Sequence, residues 1–447
     1  MSWKYSLTEL ASAIGCVSPK DEKHFSSIST DTRTLNPGDV FFALAGDRFD
    51  ANEFLDSAFE QGACAAVATR ACEKGPCLLV NDTLHALQTF AQWHREHFAL
   101  PVIAITGSCG KTTAKDLTAE LLATRYRVVK TRGNLNNDIG VPLSLARIDG
   151  ETERAVIEMG ANHPGEIAAL CALARPSEAA ITMIAPAHLE GFGSIEQVAA
   201  AKAEIVERLG PNGIFYQNND DPHCVRIGNS FQGEIVRFGS SGDVTLRRRE
   251  VLESGETRLE IDPLGRVTIP LPCPAHATNV LLAVAVAMRH GIEEFEGPLR
   301  RALAESARFR VFRVGPWEIL DDTYNANPAS MNAALEALAA RTRPGCKVAA
   351  LGDMLELGAD SNRLHRELGR NAAAYGVTHV FVRGTFAEDV VAGALEGGCP
   401  DARAIEPPEE IAAAVRALKP EGGTLLAKGS RGMRMEQVIE ALRLTYE

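Results

Sequence analysis

Residues 101–126 read PVIAITGSCGKTTAKDLTAELLATRY. Val102 to Ile105 is a short, unbroken apolar run, the pattern of a strand covered on both faces inside a parallel sheet. The run ends at Thr106 and Gly107, turns through Gly110, and continues as a helix whose Leu117 and Leu121 share one face. Between strand and helix stand Ser108, Cys109, Gly110, Lys111, Thr112 and Thr113. These are the parts of a phosphate cradle: backbone N–H groups and the helix dipole face an anion, a lysine reaches the β- and γ-phosphate oxygens, and a threonine hydroxyl meets Mg²⁺. The strict G-x-x-x-x-G-K-[ST] form is not met, because Ile105 stands where the first glycine belongs. A plain turn closing a βα unit is the alternative, and it gives no reason for the run Gly110-Lys111-Thr112-Thr113. The stretch reads as a nucleoside triphosphate site. Cys109, at the helix N-terminus, is expected to have a lowered thiol pKa and to be alkylated unless nucleotide covers it.

Composition bounds the rest. A chain of 447 residues has room for about three domains. Its 45% apolar and 23% charged content are ordinary for a soluble globular protein. A net charge of −12 argues against coating nucleic acid but leaves room for a local basic pocket. Ten cysteines without zinc spacing read as reduced thiols. The start, MSWKYSLTEL, lacks the apolar core of a signal peptide, and no stretch reaches membrane-spanning length. A cytoplasmic monomer without membrane insertion is expected.

The expected fold class is α/β in three domains. Residues 1–84 form a small N-terminal α/β domain, with a helix from Leu7 to Ile14, a turn at Asn36-Pro37-Gly38-Asp39 and a strand from Val40 to Leu44. Residues 85–313 form a central, doubly wound phosphate-loop domain, entered by a helix from Leu84 to Phe98. Its apolar strands (Val128–Val129, Ala155–Ile157, Ala179–Ile184, Ile214–Tyr216) alternate with helices, and residues 235–270 suggest a small antiparallel excursion. Residues 314–447 repeat the α/β alternation as a Rossmann-like domain, but without the G-x-G-x-x-G of an independent dinucleotide site.

Several polar residues fall just beyond strand ends, where such sheets bind ligands. Glu158 follows the strand at Ile157, and His188 lies in the loop APAHLEGFGS, so both share the edge of Lys111 and are candidate Mg²⁺ ligands. Lys202 sits among Ala199, Ala200, Ala201 and Ala203 on a helix opened by the capping pair Ser194 and Gln197. A solvated lysine is the ordinary reading; a desolvated one beside a metal loses its proton and reacts with CO₂. The polar run holding Asn136 and Asn137 is either a helix cap or an amide partner for a ligand. His276 and Asn279, opening an apolar helix, read as capping. Thr30, Asp31, Thr32, Arg33 and Gly46 occupy N-terminal loops, either as ordinary turns or facing a diphosphate or base. Arg308 and the run from Asp321 to Pro328 face the crevice between the second and third domains by position.

In order, GSCGKTT, NLNNDIGVPL, Glu158-Met159-Gly160, HLEGFGS with Lys202, His276 with Asn279, DDTYNANPAS, GDMLELG and KGSRGMRME resemble the Mur ligase family over essentially the whole chain. The last three are similar to the branch whose amine substrate is D-alanyl-D-alanine. The resemblance implies an ATP- and Mg²⁺-dependent ligase that joins this amine to a UDP-muramoyl tripeptide. It implies Lys111 and Thr112 at the triphosphate, and Thr112, Glu158, His188 and carbamoylated Lys202 at the metal. His276 and Asn279 lie near adenine, with Arg308, Asp322, Tyr324, Asn325 and Asn327 along phosphate and ribose. It also implies Thr30 to Arg33 and Gly46 at the uridine end, with Asn136, Asn137, Lys428 and Arg431 at the substrates. Two positions depart from the family pattern: Ala307 stands where glycine is usual, and Ala51-Asn52 replaces Gly-His. Two rival readings are a ligase adding a different amino acid and a nucleotide-driven switch; the switch needs neither carboxylate nor amine for phosphate release.

Overall fold

The strand Val102–Thr106 is buried at every residue and lies third in a sheet of nine strands. This computed structural model describes residues 3–446 except 20–21, 47–48, 307, 342–344 and 419–421. The position of that strand explains its composition. Ile103 and Ile105 pack on one face beneath the helices Lys111–Leu122 and His276–Arg289, while Val102 and Ala104 join the core on the other face. Its neighbours are Arg154–Glu158 on one side and Glu178–Ile181 on the other, both parallel to it. The chain first winds to one side of Val102–Thr106 and then returns to the other, so a crevice opens at the carboxyl ends of these strands.

Beyond Glu178–Ile181 the sheet continues through Ile214–Asn218 and Glu234–Gly239 to Val244–Val251, then finishes with the antiparallel strands Thr257–Asp262 and Gly265–Ile269. The expected antiparallel excursion is therefore an extension of the main sheet. At its rim, the Thr268 amide donates to the Glu296 carboxylate at 2.9 Å. Glu296 opens the helix Glu296–Glu305, which packs against this last strand.

The N-terminal domain holds a four-stranded parallel sheet (Ile28–Ser29, Val40–Phe42, Ala65–Ala68, Cys77–Leu79) and the helix Leu7–Ile14, opened by a capping box between Ser6 and Glu9. Asn52, in the Ala51-Asn52 departure, is a buried fastener whose side-chain oxygen accepts from the Thr69 amide at 3.0 Å. The helix Thr83–Glu96 is more than the connection expected at residue 84. Ala86, Leu87 and Phe90 belong to the N-terminal core, Ala91 belongs to the central core, and Arg95 donates to the Ala174 carbonyl at 2.9 Å.

The third sheet runs Arg310–Val314, Trp317–Asp322, Gly423–Lys428, Cys346–Gly352, His379–Arg383, Asp401–Ala404. All neighbours are parallel except the first pair, a hairpin. That hairpin starts the third sheet at Arg310, ahead of the expected start at 314. Its first strand, Arg310-Val311-Phe312-Arg313-Val314, is buried only at Val314 and is broken by arginine, which gave no apolar run to read. Among the described residues no helix is long and apolar enough to cross a membrane.

Candidate active site

The carboxyl ends of the central and C-terminal strands face one another across a cavity of about 1260 Å³. Central-domain loops give Ser108 to Thr113, Glu158, Thr182, His188 and Asn218 to its lining; the third domain gives Asp322, Tyr324 to Asn327 and Lys428.

The phosphate loop has two positions that only glycine fits. Gly107 has φ +142°, and a Cβ there would lie 2.0 Å from the Thr182 hydroxyl. Gly110 has φ +86°, and a Cβ there would lie 2.5 Å from the Asn279 side-chain oxygen. Ser108 ties the loop down, donating from its amide to the Met183 carbonyl and from its hydroxyl to the Ala185 carbonyl, both at 2.8 Å. Lys111 folds back within the loop, donating to the Gly107 carbonyl at 2.7 Å, and burial pushes its pKa down. Thr113 is buried on the helix that follows.

Glu158 is the hub below this loop. One carboxylate oxygen accepts from the Thr112 hydroxyl at 3.2 Å and from the Asn136 amide at 2.7 Å. The other, Oε2, is buried without a hydrogen-bond partner. A buried carboxylate oxygen without a hydrogen bond is costly, and a cation relieves that cost. No group of three or more His, Cys, Asp or Glu side chains among the described residues forms a metal cage. This sparse set suits Mg²⁺, which keeps several waters and takes phosphate oxygens besides one or two carboxylates. Lys115, which sequence reading missed, is buried beside Glu158 Oε2 at 3.9 Å and donates to the carbonyls of Thr131 and Gly133 at 2.9 and 3.1 Å.

Lys202 is 2% exposed, donates to the Ala161 carbonyl at 3.4 Å and lies 5.4 Å from the centre of the Phe192 ring. Burial, with Lys111 adding repulsion, pushes its pKa down to about 7. A substantial share of this amine is therefore neutral at neutral pH. Ser194 caps the helix by accepting from the Gln197 amide.

Two expectations are corrected here. His276 and Asn279 do not cap their helix: its N-cap is Ala275, and no side-chain cap bond forms. His276 Nδ1 is instead buried without a partner, burial pushes its pKa down to about 4, and Asn279 lies over Gly110. Cys109 is not an activated thiol. Burial raises its pKa, outweighing the nearby Lys428 and Lys111 ammonium groups. The helix terminus was legible in the sequence; the domain covering it was not.

Across the cleft, the Arg308 guanidinium stacks on the Tyr324 ring at 3.1 Å and donates to the Thr112 hydroxyl at 3.3 Å. Ala307, just before it, lies outside the described residues. Lys428 is buried, pairs with Asp322 at 2.5 Å and donates to the Asn325 carbonyl at 2.8 Å. Burial raises the Asp322 pKa against the opposing pull of Lys428. Asn327 caps the helix Pro328–Ala339 and reaches the Ser108 carbonyl at 3.4 Å. Asn137 lines the cavity and caps the turn at Gly140.

The remaining candidates lie elsewhere. Thr30 to Arg33 and Gly46 do not line the cavity. Asp31 and Arg33 close an exposed local ion pair at 2.6 Å, beyond the strand Ile28–Ser29. Arg431 pairs with Glu436 at 3.2 Å, and its guanidinium lies 6.0 Å from the Tyr324 ring. Sequence reading passed over Asn218, Asp220 and Asp221, which line the cavity after the strand Ile214–Asn218. The polar run at a strand end was the signal.

A phosphate loop that faces a second α/β domain across one cavity is the framework of an ATP-dependent ligase. The chain belongs to the Mur ligase family. Residues 105–287 match the Mur ligase middle domain, and residues 307–431 match the Mur ligase, glutamate ligase domain. The chain is 38% identical to the UDP-N-acetylmuramoyl-tripeptide--D-alanyl-D-alanine ligase of Escherichia coli (strain K12), covering 93% of each chain. It is 35% identical to the enzyme of the same name from Haemophilus influenzae over 98% of each. The fold superposes on MurF from Acinetobacter baumannii with a TM-score of 0.90 at 33% identity, covering 99% of both chains. It also superposes on Thermotoga maritima MurF ligase in complex with ADP, with a TM-score of 0.82 at 30% identity, covering 94% of this chain and 97% of that one.

Proposed function

We propose that this enzyme joins D-alanyl-D-alanine to the carboxylate of UDP-N-acetylmuramoyl-tripeptide, using ATP, in the cytoplasmic synthesis of cell-wall precursors. The cavity carries this reading: nucleotide-loop and third-domain residues line a single space in which the reacting ends of the substrates can meet. A carboxylate oxygen of the tripeptide attacks the γ-phosphorus, the bond to ADP breaks, and an acyl phosphate forms. The amine then attacks the acyl carbon, the C–O bond to phosphate breaks, and the amine proton leaves to solvent.

Carboxylate and triphosphate repel each other, so the chain must position them and neutralise charge. In this reading Lys111 holds the β- and γ-phosphates, His276 and Asn279 face the base, and Arg308 and Lys428 supply the opposite cationic wall. Thr112, Glu158 and His188, with Lys202 as its carbamate, would hold Mg²⁺, which supplies positive charge to the phosphate oxygens. Asn136 and Asn137 meet the muramoyl peptide, Arg431 meets a substrate, and Thr30 to Arg33 with Gly46 take the uridine end. The third domain, closed on the second, shields the acyl phosphate from water.

The test is phosphate release with each UDP-muramoyl peptide in turn against D-alanyl-D-alanine. Release should require both the tripeptide and the dipeptide. Release with ATP alone, or with a shorter muramoyl peptide and a single amino acid, overturns the assignment.

A further inference from the structure

GDMLELG, residues 352–358, does not line the cavity, yet it is fastened with care. Asp353 is buried and accepts from the amides of Thr385 and Phe386 at 2.7 and 3.1 Å. Its carbonyl accepts from the Ser430 amide at 3.0 Å, and the Ser430 hydroxyl accepts from the Leu355 amide at 2.9 Å. This base holds the next residue, Glu356, out toward the central domain. Glu356 adopts φ +63°, an uncommon conformation for a residue other than glycine. Facing it, His188 adopts φ +52°.

These two residues meet across the domain cleft. His188 Nδ1 donates to the Glu356 carboxylate, and the Glu190 amide donates to the Glu356 carbonyl at 3.2 Å. An ionised carboxylate only accepts, so the imidazole proton sits on Nδ1 and the lone pair on Nε2. A histidine that ligates a metal commonly gives its other N–H to a carboxylate, which fixes tautomer and ring orientation. Here that carboxylate comes from a different domain.

We propose that Glu356 is a positioning residue that couples domain closure to the metal site: on closure its carboxylate turns His188 Nε2 toward the metal ion. The proposal rests on the reading of His188 as a metal ligand. Glu356 acts through His188 and touches no reacting atom. Its side chain is 52% exposed, so its loss leaves the fold intact.

The experiment uses the full-length protein with a non-hydrolysable ATP analogue and UDP-muramoyl tripeptide. Mn²⁺ binding is read by electron paramagnetic resonance, and closure is read by the radius of gyration from solution scattering. E356A should close like the wild type yet bind Mn²⁺ about tenfold more weakly, and E356Q, which still offers an acceptor, should lose less. H188A should weaken Mn²⁺ binding at least as much, and E356A should add nothing in its background. Mn²⁺ affinity in E356A within about twofold of wild type, beside a clear loss in H188A, overturns the positioning role alone. A weakened E356A that also fails to close makes Glu356 a simple latch and overturns it too. An unchanged H188A removes the ligand reading of His188 and the proposal with it.

Discussion

Trp3, Tyr5, Phe90 and His94 join the N-terminal domain to the central one, with the Trp3 ring 5.0 Å from Tyr5 and 4.9 Å from His94. Trp3 Nε1 donates to the Ala146 carbonyl at 3.0 Å; His94 accepts from Tyr5 at Nδ1 and donates from Nε2 to the Ile148 carbonyl at 2.8 Å. The junction between the central and C-terminal domains buries Cys273 in the C-terminal core but is otherwise more polar. There Arg308, Asn327 and Glu356 reach Thr112, Ser108 and His188 along the rim of an open cavity. Buried aromatic contacts have no substitute in water, whereas polar contacts beside a cavity exchange readily with water and substrate. The first junction therefore ties its two domains more firmly than the second does.

Trp3→Ala tests the rigid side most severely. Truncating this buried ring should cost about 4 kcal/mol in urea unfolding while kcat at a permissive temperature changes little. A collapse of rate without loss of stability would break the contrast. On the polar side, Lys111→Ala should lower kcat by about 10²–10³ with an unchanged unfolding midpoint. Retention of more than about a third of the rate, against that expectation, would sink the phosphate-loop role. Lys202→Ala should also lose most activity, and small carboxylic acids, standing in for a carbamate, should restore part of it. Lys202→Arg, always charged, should not respond. Rescue of neither variant, with an unmodified amine by carbon-13 labelling, would make Lys202 an ordinary lysine.

Acid should loosen the first junction. Burial lowers the His94 pKa from 6.5 to about 4, although its bond to Ile148 opposes this. The unfolded chain thus binds more protons between these values. The contribution, about 3 kcal/mol, is complete above pH 6.5 and is lost as pH falls toward 4. Urea midpoints across that range should show the slope, and His94→Gln should remove it. The smallest effect belongs to the Arg249–Glu336 pair, which bridges the central sheet and a C-terminal helix at 3.3 Å in solvent. A double-mutant cycle should return less than about 0.5 kcal/mol. A larger value would make the second junction stiffer than its chemistry implies.

The same contrast explains what could be read in advance. The buried strands were legible because double coverage demands unbroken apolar runs, as at Val102–Thr106. Lys111, Glu158 and His188 were legible because each follows a strand on one edge. The edge strand Arg310–Val314 was not, since it is mostly exposed and its arginines break any apolar run. His276 and Cys109 misled for one reason: local rules see a helix start, but burial by a distant domain decides what the side chain does. Glu356 and Lys115 were silent because their roles depend on His188 and Glu158, far away in sequence.

The Glu296 carboxylate on the Thr268 amide has a consequence for crowding. A nine-stranded sheet ends there, and an open rim is where a second chain adds as a tenth strand and starts an aggregate. Glu296 takes up one outward donor, its charge repels an approaching strand's carbonyls, and the helix behind it obstructs the path. At this rim, strand addition between copies of the enzyme is therefore disfavoured.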